Sequence, residues 1–274
     1  MKSFSLFLFV VLFFSACSSI ATVEERVTTS NELIKKRQIK KEILHTNSFS
    51  LYSLQKASSC NTLRVYIEGD GLSWVSRTRV SNNPTPINPL AMKLFLKDTS
   101  SCKIYLARPC QYTNDIRCEK KHWTSHRYSK EVLSSYLSTL DLLKEKFLNK
   151  EFELIGYSGG GAIATLISAK REDISFLLTV AGNIDHKYWT QKHNISSLYG
   201  SLNPPQFAKS LEKIKQVHLI GGKDTIIDSS IFNSYNFYFK DTSNIKHTIL
   251  KEFTHQKGWE ENWTEIIDKY YHMK

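Results

Sequence analysis

No stretch of about 20 apolar residues occurs in the 274-residue chain, so no segment reads as a permanent transmembrane helix. The five cysteines contain no C-x-x-C pair, which argues against a zinc site. Internal repeats and low-complexity tracts are absent too, which excludes a solenoid or a linker-like chain. Acidic residues are in deficit, 26 against 37 Lys plus Arg, and the net charge is +11. The lysines are spread along the chain and no nucleic-acid-binding motif accompanies them. The excess therefore reads as a solvated basic surface, compatible with anionic headgroups and not with a nucleic-acid partner. Hydrophobic residues make up 41%, an ordinary share for a chain that builds a core.

What is present begins with "MKSFSLFLFVVLFFSAC". One lysine, a mainly apolar stretch from Phe4 to Phe14 and then small residues have the layout of a secretory signal. The segment resembles a bacterial lipobox, with Phe14 where leucine is usual and Cys17 as the lipidated first mature residue. Ser18 and Ser19 follow, with no aspartate to retain the protein in the inner membrane. The expectation is a lipid-anchored protein of the bacterial cell envelope, on the outer membrane facing the periplasm. Residues 1–16 are then the signal, 17–45 a polar tether and basic arm, and 46–274 the folded domain.

Four cysteines remain after export. An even number outside the cytoplasm implies two disulfides. Cys60 precedes the apolar run "LRVYI" and Cys102 precedes "KIYLA". If these are neighbouring parallel strands, their starting ends lie together, which predicts Cys60–Cys102. Cys110 and Cys118 share one short loop, which predicts the second bridge.

Apolar runs alternate with helical patterns. Strands are expected at 49–54, 63–69, 102–109, 151–157, 174–182, 214–222 and 245–253. Helices are expected at 88–98, 128–148, 160–170 and 258–271. This alternation predicts an α/β fold with a mostly parallel central sheet and helices on both faces. Residues 183–213, rich in aromatics, Asn, Ser and Pro, interrupt the rhythm as a cap-like excursion beside a pocket.

The chemistry centres on "GYSGG" at 156–160. G-x-S-x-G has mechanical meaning between a buried strand and a helix, and "FELI" precedes it while "GAIATLISA" follows. Ser158 is thus a candidate nucleophile, which needs a base and an orienting acid. Asp224 lies just past the strand "VHLIGG", and His255 at the end of the strand that contains "ILKEF". Asp228 is an alternative acid, Asp185 a further one, and His247, His186 and His193 are rival bases. Negative charge on a reacting carbonyl needs backbone N–H donors already in place. Gly159 supplies one. The loop "IEGDG" supplies the other through Asp70, with Gly71 the neighbouring alternative. Glu68 and Asp70 would also suit an acidic metal loop, but no further ligands cluster nearby in sequence. Arg77 and Arg79, beside that loop, are candidates to bind a substrate carboxylate or phosphate.

From residue 63 onward the chain resembles the α/β-hydrolase-fold serine hydrolases. The resemblance rests on "IEGDG", "GYSGG", "GGKD" and "THQKGW"; the usual His-Gly of the first motif is Glu68-Gly69 here. The segment from Gly69 to Asp98, with "YLARPCQY", also resembles bacterial lipoprotein members of that fold. The resemblance implies hydrolysis of a small-molecule or lipid carboxylic ester, without a metal or an organic cofactor. A non-catalytic envelope lipoprotein that binds lipid, glycan or a protein on the same fold is the alternative. A serine–histidine–acid order has no use in a pure binder.

Overall fold

Strand side chains alternate between two faces, and here both faces are apolar, so the strands must be covered on both sides. On the strand Thr62–Ile67, Leu63, Val65 and Ile67 join one core cluster while Tyr66 joins the other. The computed structural model describes residues 20–271; the signal segment 1–16 and Cys17 lie outside the described residues. Eight strands form one sheet: β1 Lys40–Leu44, β2 Leu51–Lys56, β3 Thr62–Ile67, β4 Lys103–Leu106, β5 Glu151–Tyr157, β6 Ile174–Val180, β7 Gln216–Gly221 and β8 Ile245–Leu250. Their order is β1-β2-β4-β3-β5-β6-β7-β8. β3 to β8 pair in parallel, and β2 runs antiparallel to both β1 and β4.

The α-helices are α1 Val23–Ile34, α2 Leu90–Lys97, α3 Lys130–Phe147, α4 Gly159–Ser168, α5 His186–Lys192, α6 Ala208–Leu211, α7 Ser229–Asn236 and α8 Trp259–Tyr271. α3 and α4 cover the face that holds Leu63, Val65 and Leu154. α2 and α8 cover the other, where Phe95, Trp259 and Trp263 pack on Tyr66 and Tyr105. α3 starts where Ser129 accepts a bond from the Val132 N–H, and its apolar positions 132, 133, 136, 140, 143 and 147 are buried at helical spacing.

The expected tether is largely part of the fold. α1 is closed by a capping box between Thr22 and Glu25. Its buried Arg26 donates to the carbonyls of Asn83 and Thr85, and Ser30 meets the Tyr112 hydroxyl at 3.0 Å. Residues 40–44 form an edge strand. Lys40, Lys41 and Glu42 hid it, because an edge strand tolerates charge on its open side.

Both disulfides are as expected. β3 and β4 are parallel neighbours, so Cys60 and Cys102 meet at their starting ends; Cys110 and Cys118 close the loop after β4. Because β3, β5, β7 and β8 run the same way, the loops after them all emerge at one rim, where α/β sheets place their sites.

Candidate active site

Ser158 stands between β5 and α4 with φ 51° and ψ −118°, a conformation that costs a non-glycine residue of order 1–3 kcal/mol. The two motif glycines make this turn possible. A Cβ on Gly156 would overlap the Gly160 carbonyl, and one on Gly160 would overlap the carbonyls of Ile67 and Glu68. Strand, turn and helix therefore pack backbone to backbone. The Ser158 N–H is held by the Val180 carbonyl.

The hydroxyl meets His255 Nε2 at 3.0 Å, and His255 Nδ1 meets Asp224 Oδ2 at 2.8 Å. Asp224 Oδ1 accepts from the N–H groups of Ile226 and Ile227 at 2.8 and 2.9 Å, so both carboxylate oxygens are engaged. The Asp224 side chain is fully buried, whereas that of His255 keeps 12% exposure. An imidazole whose Nδ1 faces a buried carboxylate carries its proton there and presents Nε2 to the serine as an acceptor.

The other candidates are occupied elsewhere. Asp228 caps α7 and pairs with Lys192. Asp185 caps α5 and accepts from Asn203 and Ser234. His186 is buried against the Leu202 carbonyl, His193 bonds the Ile226 carbonyl, and His247 stacks on Phe232.

The loop after β3 is tied down by buried polar groups. Glu68 takes no part in a metal cluster; among the described residues there is none. Its carboxylate accepts from the N–H groups of Gly69, Ala91 and Met92 and from the Tyr105 hydroxyl. It thereby caps α2, where negative charge is favoured. Burial pushes its carboxyl above the ordinary range, and these four donors offset the shift only in part. Asp70 pairs with Arg108 at 2.8 Å and Arg127 at 2.6 Å and accepts from Tyr128. Burial alone would push its carboxyl up; Arg127 and Arg108 more than reverse this and hold it below the ordinary range. This carboxylate fills the space where a Gly159 side chain would stand, so only glycine fits after Ser158.

Gln111 completes the loop. It is fully buried, donates from Nε2 to the Gly69 carbonyl at 3.0 Å and accepts from the Arg108 N–H at 3.1 Å. The peptide unit from Gly69 to Asp70 is planar and trans, so its C=O and N–H point in opposite directions. Anchoring the Gly69 carbonyl therefore fixes where the Asp70 N–H points. Gln111 sits between Cys110 and Tyr112, both at positive φ (70° and 59°), inside the loop closed by the Cys110–Cys118 disulfide. The Gly159 N–H, first in α4, has no intrahelical acceptor, and no bond from the Asp70 N–H to another described residue is made.

Sequence reasoning missed Gln111, Arg108 and Arg127. They are distant in sequence from Ser158, Asp224 and His255, and "RPCQY" within "YLARPCQY" signals only a strand end and a cysteine loop.

A cavity of ≈ 410 Å³ opens over the site, lined by Gly69, Asp70, Ser158, His255, Pro86 and Ile226 among others. Ile226 also lines a second cavity, of ≈ 1190 Å³, between residues 74–77, 124–127 and the 189–199 part of the expected excursion at 183–213. Arg77 belongs to that lining and Arg79 does not.

The architecture is that of the α/β-hydrolase fold. Similar solved structures include the esterase Pf2001 of Pyrococcus furiosus (14% identity, TM-score 0.61, covering 89% of this chain and 94% of that one). Est1E of Butyrivibrio proteoclasticus, solved with ferulic acid bound, is 12% identical at a TM-score of 0.61 and covers 85% and 98% of the two chains. An alpha-beta serine hydrolase homologue from Coxiella burnetii is 10% identical, with a TM-score of 0.58 and coverage of 84% and 94%. No family model and no curated protein matches the chain.

Proposed function

We propose that the protein is a serine hydrolase that cleaves carboxylic esters through an acyl-enzyme. The observation that carries this reading is the continuous row Ser158 Oγ, His255 Nε2, His255 Nδ1, Asp224 Oδ2, at 3.0 and 2.8 Å, on the wall of an open cavity. Similarity in fold to esterases supports it.

Ser158 Oγ attacks the acyl carbon while its proton passes to His255 Nε2. The carbonyl π pair moves onto oxygen, which the N–H groups of Asp70 and Gly159 receive. Collapse of the tetrahedral species breaks the C–O bond to the alcohol. The alcohol leaves with the proton from His255, and Ser158 remains acylated. Water then repeats the sequence and releases the acid. Asp224 keeps the imidazole in the needed tautomer and balances its charge when it is protonated. The Arg108 and Arg127 guanidinium groups neutralise Asp70, so its carboxylate adds little repulsion to the developing oxyanion.

The protein also carries, in this reading, a lipid on Cys17 that holds it at the envelope membrane, on the outer membrane and facing the periplasm. Residues 18–22 alone separate Cys17 from α1, and they span at most about 17 Å. The site then works close to the bilayer.

A fluorophosphonate probe tests the enzyme. Labelling of the wild type that is lost in Ser158→Ala is the expected result, and no labelling of folded wild-type protein overturns the reading. Lipid labelling that persists in Cys17→Ser would overturn the anchor.

A further inference from the structure

We infer that the ≈ 1190 Å³ cavity beyond Ile226 is a subsite for the distal part of the substrate, and that it takes an apolar chain or ring ending in an anion, a carboxylate or phosphate, bound by Arg77. This inference rests on the proposed ester hydrolysis.

Ile226 forms a wall of both cavities, and its N–H is one of the two that hold Asp224. A molecule that reacts at Ser158 and is too long for the ≈ 410 Å³ cavity passes this side chain into the larger one. That space is built. Trp189 Nε1 and His193 Nε2 both bond the Ile226 carbonyl and fix α5 against it, at 3.0 and 2.9 Å. On another side, residues 73–81 fold back on themselves. The Ser81 N–H bonds the Ser73 carbonyl, the Val75 N–H bonds the Arg79 carbonyl, and Trp123 Nε1 holds the Ser81 carbonyl. Ser201 Oγ ties the 194–201 loop to the Ser125 carbonyl.

The lining states the ligand class. Trp74, Trp189, Leu198, Tyr199 and Ile226 give apolar and aromatic surface, and Trp74, Tyr199 and Ile226 are each more than 40% exposed. Apolar side chains left uncovered around a concave site are available to an apolar ligand. Serine and threonine hydroxyls supply donors. The charged residues of the lining are Arg77 and Arg127, with no aspartate or glutamate. Arg127 is committed to Asp70. Arg77 has no carboxylate partner among the described residues, so its guanidinium offers a two-pronged donor to an incoming anion.

The test uses paired esters of eight-carbon chains. One arm is a 4-nitrophenyl ester whose acyl chain ends in a carboxylate or in a primary amide. A second is an acetate whose alcohol chain carries the same two ends, and a third replaces the carboxylate by phosphate. The readout is kcat/KM for the anionic member over its neutral partner. We expect a preference of about ten-fold or more in at least one arm, largely lost in Arg77→Gln and kept in Arg79→Gln. Ile226→Trp should lower the ratio of long-chain to acetyl turnover. Hydrolysis of 4-nitrophenyl acetate with no anionic preference in any arm, or a preference that survives Arg77→Gln, overturns the subsite alone. A wild-type protein that hydrolyses no ester overturns the parent reading and this one together.

Discussion

Gln111→Met keeps the volume of a fully buried side chain and removes both of its hydrogen bonds. The Gly69 carbonyl and the Arg108 N–H are then left in the interior without partners, at about 1–3 kcal/mol each. The protein should therefore melt lower. A merely structural role ends there. The geometry asks for more, because the freed Gly69 carbonyl releases the Asp70 N–H on the same planar unit. Complete loss of one oxyanion donor costs about 10²–10³ in kcat. A donor that is present but misaimed should cost about 10- to 100-fold, with KM within about two-fold. The assay is steady-state hydrolysis of 4-nitrophenyl acetate beside inhibition by a trifluoromethyl ketone, which forms a tetrahedral adduct on the serine. Inhibition should weaken in step with kcat, since both depend on the oxyanion site. Leu140→Ala is the control. It lies in the α3 core, should destabilise by about 2–5 kcal/mol, and touches nothing in the site. Wild-type kcat in Gln111→Met, or an equal kcat loss in Leu140→Ala, would refute the positioning role.

Asp224→Asn should lower kcat by about 10⁴-fold while Asp228→Asn leaves it unchanged, because only Asp224 reaches the imidazole; equal effects in steady-state assays would reject that assignment. Gly159→Ala should lower both the melting temperature and kcat, since the new methyl group displaces the Asp70 carboxylate from beside α4; calorimetry and kinetics like the wild type would contradict this. Breaking Cys60–Cys102 should cost about 4 kcal/mol and breaking Cys110–Cys118 about 2.5, from loop closure over separations of 42 and 8 residues. Yet only the shorter bridge holds Gln111, so urea titration and kcat should rank the two variants oppositely. Burial holds His186 down at about 4 and His218 at about 3, against an ordinary 6.5. The unfolded chain therefore takes up these protons first, and stability should fall as the pH drops from about 6.5 towards 3–4. Urea midpoints at pH 7 and 4.5 that do not differ would rule this out, and His218→Gln should flatten the slope.

Much of this site could be read before any coordinates. "GYSGG" between an apolar run and a helical run demands a backbone-to-backbone turn, whatever surrounds it. That Asp224 and His255 follow the last two strands comes from period and length alone, although the last strand stops at Leu250 and leaves His255 on the loop beyond it. The choice between Asp224 and Asp228 does not. Both follow the same strand, and only the path of the 222–228 loop turns one carboxylate to the imidazole and the other to α7. The departure at Glu68 was visible too, but its meaning was not. Two of the three N–H groups it receives belong to α2, more than twenty residues away.

Local order along the chain thus determined the α/β alternation, the two disulfides and, of the row, Ser158 and His255 with Asp224 or Asp228 as the acid, because each depends on periodicity or on where a strand ends. Tertiary structure alone decided that residues 23–44 join the fold, that Gln111 and the two arginines brace the Asp70 loop, and that Arg77 faces a cavity while Arg79 does not. Those outcomes depend on which loops meet at the sheet rim. Such meetings are set by the packing of elements distant in sequence, and they leave no mark in any one segment.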